Sequence, residues 1–137
     1  MALSPAYQQY PEHTLEIDAA RTRVRILVKN AAGNCVLAET TDGLTLREGR
    51  YPATVYVPRD DVRMDRLARS QHSTHCPFKG DATYFDFIGQ EGSPTAAQEQ
   101  EIPQVAWSYE DPFDQMAEIR DYVAFYADRV DIEILPD

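Results

Sequence analysis

A chain of 137 residues, 43% hydrophobic and 26% charged, has the size and composition of a soluble globular protein with one domain and a core of its own. A formal net charge of −10 excludes a nucleic-acid backbone as the main partner, because phosphate binding needs a basic surface. No apolar run approaches the ~20 residues that span a bilayer, no basic-then-apolar stretch opens the chain, and Cys35 and Cys76 are too few for a disulfide framework. The expectation is a cytoplasmic protein with two free thiols and no membrane partner.

Residues 1–13 are polar and contain proline, and are expected to form an arm lying on a single β-rich domain spanning residues 1–137. From Thr22 to Lys29, arginines alternate with Val24, Ile26 and Val28, the period-two pattern of a half-buried strand. Residues 30–34 read as a turn, and Cys35 to Thr40 as the returning strand of a hairpin. Leu44 and Leu46 alternate with polar residues in a third strand. Thr54 to Val57 form a fourth, ended by Pro58, with Tyr56 facing away from Val55 and Val57. Asp60 is placed to cap a brief helix through Val62, Met64 and Leu67.

Ala82 to Ile88 reads as a strand rich in aromatics, residues 89–103 as a long polar loop, and Gln104 to Tyr109 as a further strand. Met116, Ile119, Val123 and Tyr126 recur at three- and four-residue spacing, which predicts a C-terminal α-helix opening near Asp114. Val130 to Leu135 closes the chain as a strand. Strands with one late helix place the protein in the mainly β class.

The densest chemistry lies in Thr74-His75-Cys76-Pro77-Phe78-Lys79-Gly80-Asp81, read as a turn. Pro77 keeps Cys76 extended, and successive side chains of an extended segment point apart, so His75 and Cys76 are not expected to pair as base and nucleophile. Lys79, across the turn, is placed to favour a Cys76 thiolate; the plainer alternative is a small thiol packed under a turn. His72 and His75 have a tolerable spacing for a metal with Cys76. Zinc wants three or four protein ligands, however, and Cys35 or His13 would have to complete the set. No metal is assigned, and the plainer reading is that the imidazoles hydrogen-bond the turn backbone.

Lys79-Gly80-Asp81 offers a cation, a glycine that lets backbone N–H groups approach an anion, and a carboxylate. The alternative is a Lys79–Asp81 surface pair of little worth. Tyr56, Tyr84, Trp107 and Tyr109 fall in expected strands, where aromatics are more often core than ligand platform. Arg63 is able to clamp an anion through two parallel hydrogen bonds or to bridge Asp60 or Asp61. Glu118 and Asp121 read as a solvated face. The chain has no phosphate-cradling loop, no Ser/His/Asp triad cue and no flavin or nicotinamide fingerprint, and it identifies no cofactor.

Four motifs occur in order: Tyr56-x-Pro58-x-x-Asp61-Val62, Thr74 to Tyr84 with its His-Cys-Pro-x-Lys-Gly core, Ala106-Trp107-Ser108-Tyr109, and Tyr122-Val123-Ala124-Phe125-Tyr126. Over roughly Pro11 to Asp137 the chain resembles the domain of unknown function 427 family, also labelled nucleotidyltransferase-like. The resemblance implies small curled sheets forming a pseudo-barrel, like that of the Rab-exchange-factor zinc proteins (the Mss-like fold). Those proteins carry paired cysteines that are missing here, so their metal is not carried over. Nor are the clustered acids that hold magnesium in transferases present. Residues 89–101 are longer and more polar than the connection the family leads one to expect.

The leading expectation is a polar cleft that binds a small polar or anionic molecule, lined by Tyr56, Arg63, His75, Cys76, Lys79, Asp81, Trp107 and Tyr109. One alternative is an enzyme with Cys76 as nucleophile, Lys79 activating the thiol and a histidine, His75 foremost, relaying protons. Another is a non-catalytic protein-interaction module whose motif fixes a turn. The sequence does not distinguish these and leaves the oligomeric state open.

Overall fold

The computed structural model describes residues 2–30, 33–89 and 101–135. β1 (Leu15–Ala19), β4 (Leu44–Glu48) and β5 (Thr54–Tyr56) form a small sheet in the order β1-β4-β5. β2 (Arg23–Asn30), β3 (Gly33–Thr40) and β10 (Asp131–Leu135) form a second, in the order β10-β2-β3. Between them lies a sheet of β6 (Leu67–Cys76), β7 (Gly80–Phe87), β8 (Ile102–Ser108) and β9 (Val123–Phe125), in the order β6-β7-β8-β9. Every pairing is antiparallel.

Along β7, β8 and β9 the central sheet buries both faces, because these strands carry apolar residues at odd and even positions alike, whereas β6 is mostly polar and exposed. On one face Phe85, Phe87, Ala106, Val123 and Phe125 pack with Val24, Ile26 and Leu37 of the second sheet. On the other, Ala82, Tyr84 and Ala124 pack with Leu46 and Tyr56 of the small sheet. Each fully buried side chain of this size contributes about 1.5–3 kcal/mol of hydrophobic stabilisation. Val57 and Val123 exchange two backbone hydrogen bonds of 2.8 Å, which ties the small sheet to the central one. An Ala38–Val62 bridge ties in β3. The sheets stay separate and do not close into a barrel.

Mainly β architecture is present, but the expected C-terminal α-helix is not. Residues Asp114–Ile119 form a 3₁₀ turn, Arg120 is extended (φ −52°, ψ 129°), Asp121 is left-handed (φ +65°) and β9 follows. The helix-like spacing has a different origin. Met116 and Ile119 are buried from the 3₁₀ turn, while Val123, Ala124 and Phe125 are all buried because β9 is covered on both faces. Among the described residues the one α-helix is α1 (Ala6–Gln9), a single turn within the arm.

The helix expected after Asp60 is instead two 3₁₀ turns, Arg59–Asp61 and Met64–Arg66, and Leu67 already belongs to β6. β1 was not anticipated, although Leu15 and Ile17 alternate with Glu16 and Asp18. β8 begins at Ile102, earlier than expected, and residues 90–100 of the anticipated loop lie outside the described residues. No described helix is long and apolar enough to cross a membrane.

Candidate functional site

The segment read as a broad turn is a tight hairpin. β6 runs to Cys76 and β7 starts at Gly80, leaving Pro77–Lys79 as the connection, closed by Lys79 N donating to Cys76 O at 3.2 Å. Gly80 adopts φ +115°, and a Cβ there would lie 3.3 Å from Asp111 O and Pro112 Cα, so the position suits glycine on two counts.

Strand alternation sorts the reactive side chains. His75 and Asp81 are cross-strand partners on the outer face, with Nδ1 and Oδ1 2.8 Å apart and side chains 59% and 80% exposed. Cys76 points the other way and is half-buried against the core beneath the small sheet. His72 is exposed, its ring 4.7 Å from that of Tyr84. Arg63 is exposed as well, and its Nε and Nη2 meet the Asp65 carboxylate at 3.2 and 3.1 Å instead of Asp60 or Asp61. The structure therefore does not bring His75, Asp81 or Arg63 into the space beside Cys76. Among the described residues no group of three or more His, Cys, Asp or Glu side chains is arranged to hold a metal ion.

Lys79 folds inward. Its side chain is 14% exposed, its Nζ donates to Glu48 Oε1 at 2.7 Å, and it stands 5.7 Å from the centre of the Tyr109 ring. Glu48 Oε2 lies 2.8 Å from His13 Nε2. Burial alone would raise the Glu48 carboxyl pKa, but hydrogen bonds from Lys79 and His13, with their charges, outweigh it and hold it below its ordinary value.

Tyr56, 1% exposed, accepts the Trp107 indole N–H at 3.4 Å. Trp107 packs 4.5 Å from Tyr126, and Tyr126 stacks on Tyr84 at 6.4 Å. Tyr109 is 6% exposed, and no hydrogen bond joins its hydroxyl to another described residue. Burial pushes both the Tyr56 and Tyr109 phenols well up. The indole hydrogen bond partly offsets this at Tyr56, whereas nearby Glu48 and Cys76 add to it at both. Tyr56, Cys76, Trp107 and Tyr109 thus pack in one cluster, with Lys79 set over the Tyr109 ring.

The arm covers the hairpin tip. The Ser4 hydroxyl donates to Pro77 O, and the Tyr7 hydroxyl donates to Phe78 O at 2.7 Å. The Phe78 ring packs 5.1 Å from Tyr7 and 4.4 Å from His13. Gln115 clasps Ser4 through two bonds of 3.0 Å, one to its N–H and one to its carbonyl. The Tyr7 phenol pKa is pushed up to about 12 by burial first, then by Cys76 and Glu48.

Glu48 and Tyr7 escaped sequence reasoning, while His13 entered it only as a metal ligand to complete a set and Tyr126 only on the expected helix face and in the fourth motif. Glu48 had a readable signal, since it follows Leu44 and Leu46 at the same strand parity and so puts an acid on an apolar face. Tyr7 and His13 reach the site only through tertiary packing.

A family model described as a domain of unknown function (DUF427) matches residues 16–135. That span takes in the hairpin, Glu48 and the Tyr56–Trp107–Tyr109 cluster, and leaves out Tyr7 and His13 of the arm. No curated protein matches the chain.

Proposed function

The chain belongs to the domain of unknown function 427 family, and from its geometry we propose that it is a binding domain for a small polar molecule seated beside Cys76 and Lys79. Tyr56, Trp107 and Tyr109 form the aromatic walls, and Lys79 with Glu48 supplies the polar end. His75, Asp81 and Arg63, which stand elsewhere, take no part.

The observation that carries this reading is the Lys79–Glu48 pair, 14% and 19% exposed, with Lys79 set over the Tyr109 ring. Drawing two charges this far out of water costs about as much as their attraction returns, so stability alone is a weak reason for such a pair. Buried charged groups with a perturbed pKa, as Glu48 has, concentrate at functional sites. The test is a thermal-shift panel of phosphates, carboxylates, nucleotides and neutral polar compounds on the intact chain and on Lys79→Met. Stabilisation of the intact chain that Lys79→Met weakens is expected. No stabilisation by any compound rejects the reading.

A further inference from the structure

A groove runs between the second sheet and the small one. Ile132 and Ile134 of β10 stand opposite Ile26 and Val24 of β2, so the four share the sheet's inner face, yet Ile134 is 56% exposed. Across from them, Thr45, Arg47 and Val55 lie on the face of the small sheet that alternates with Leu46 and Tyr56. The groove has two parts, joined at Val55 and Ile134, which line both. The first is a cavity of about 460 Å³ with Trp107, Phe125, Tyr126 and the exposed Tyr51 in its walls, and none of the described residues lining it is charged. The second, of about 410 Å³, is lined by Arg21, Arg47 and Asp18. Arg21 makes no hydrogen bond or ion pair with another described residue. Arg47 Nε stands 3.9 Å from Asp18 Oδ2, with both side chains more than half exposed, so that pair is weak.

Chemistry is therefore graded along the groove. Ile26 lines the apolar part, and Val24, Thr22 and Arg21 line the polar part. From Ile26 to Thr22 is roughly 13 Å of extended chain. A cation fits neither part, because Arg129 already stands 5.3 Å from the centre of the Tyr126 ring and two arginines hold the other end. A small inorganic anion leaves the aromatic walls unused. A ligand with an apolar body and one anionic head uses both, and aromatic walls with a few polar groups at one end are the usual build of a small-molecule site. We propose that this groove binds an amphipathic carboxylate, its body against Trp107 and Tyr126 and its carboxylate on Arg21 and Arg47. The groove is a second site, since Glu48, Cys76 and Lys79 line neither part, and it does not rest on the reading given above.

The chain has one tryptophan, and Trp107 lines the apolar part, so its indole N–H NMR signal is a unique reporter of the groove. Three probes share one body and differ in the head: 4-phenylbutyrate, 4-phenyl-1-butanol and 4-phenylbutylamine. On the untagged chain, 4-phenylbutyrate is expected to shift the signal and saturate, the alcohol to bind at least ~3-fold more weakly, and the amine more weakly still. Arg21→Gln/Arg47→Gln changes exposed side chains only, and should bring the acid down to the affinity of the alcohol while leaving the alcohol unchanged. Ile134→Ser, at the junction of the two parts, should weaken acid and alcohol alike. Equal binding of acid and alcohol by the intact chain, or tighter binding of the amine, overturns the inference. So does a preference for the acid that Arg21→Gln/Arg47→Gln leaves intact. If Lys79→Met is what removes that preference, the acid sits beside Lys79 and the earlier reading gains what this one loses. No shift by any probe overturns the groove as a site and leaves the pair beside Lys79 to its own test.

Discussion

Glu48→Gln tests the Lys79–Glu48 pair most directly. At 2.7 Å the attraction between Glu48 and Lys79 is about 6 kcal/mol at an effective dielectric constant of ~20, before either ion's desolvation is counted. Desolvation costs several kcal/mol per ion, so the intact pair is worth little net. Breaking it from one side is different, since Lys79 keeps its charge at 14% exposure and loses its counterion. Removing one partner of a fully buried pair costs about 3–5 kcal/mol, and the remaining solvent contact here lowers the expectation to about 2–3 kcal/mol. For a chain of this size that is a fall in midpoint of about 6–10 °C. Glu48→Gln/Lys79→Met should recover to within about 1 kcal/mol of the intact chain, because neither charge is then stranded.

Urea unfolding of the four members of this cycle at pH 7, with matched m-values, gives the coupling. Additive losses, or a Glu48→Gln loss below about 0.5 kcal/mol, refute the reasoning. The pH dependence carries a second check. The folded-state pKa of Glu48 is lowered, so its contribution is complete above the unfolded value and is lost as pH falls through the folded one. The gap between the intact chain and Glu48→Gln should stay constant above about pH 5 and close under more acidic conditions.

Tyr7→Phe removes the 2.7 Å bond to Phe78 O but keeps the ring contact, and should cost about 1 kcal/mol by urea unfolding while speeding iodoacetamide capture of Cys76 over that of buried Cys35. His75→Ala breaks only an exposed pair with Asp81, so a loss under about 0.5 kcal/mol and an unchanged Trp107 signal are expected. Gly80→Ala forces a side chain into φ +115° with backbone at 3.3 Å, and thermal unfolding should show a loss of about 2 kcal/mol or more.

Strand alternation made much of the fold legible. The hairpin of β2 and β3 and the aromatic β7 follow from period-two patterns, and the opposite facing of His75 and Cys76 follows from the extended backbone that Pro77 imposes. Tyr56 was correctly expected to face away from Val55 and Val57, yet away from one core here means into another. The same two-sided burial disguised β9 as a helix, because a strand covered on both faces loses its alternation. Lys79, Trp107 and Tyr109 were singled out from residue type and motif, and the structure packs Trp107 and Tyr109 in one cluster with Lys79 over the Tyr109 ring. Glu48 lies 31 positions from Lys79, and such a pairing follows only once β4 is brought over the hairpin.

The docked arm bears on how the protein should be handled at the bench. Ala2 O accepts a hydrogen bond from Asp114 N at 3.1 Å, and Ser4, Tyr7, Tyr10 and His13 reach the hairpin tip. An affinity tag or fluorescent fusion attached at the amino end is therefore tethered next to Pro77 and Phe78. A handle attached at the carboxyl end follows β10, in the sheet on the opposite side of the central one, and leaves the hairpin free.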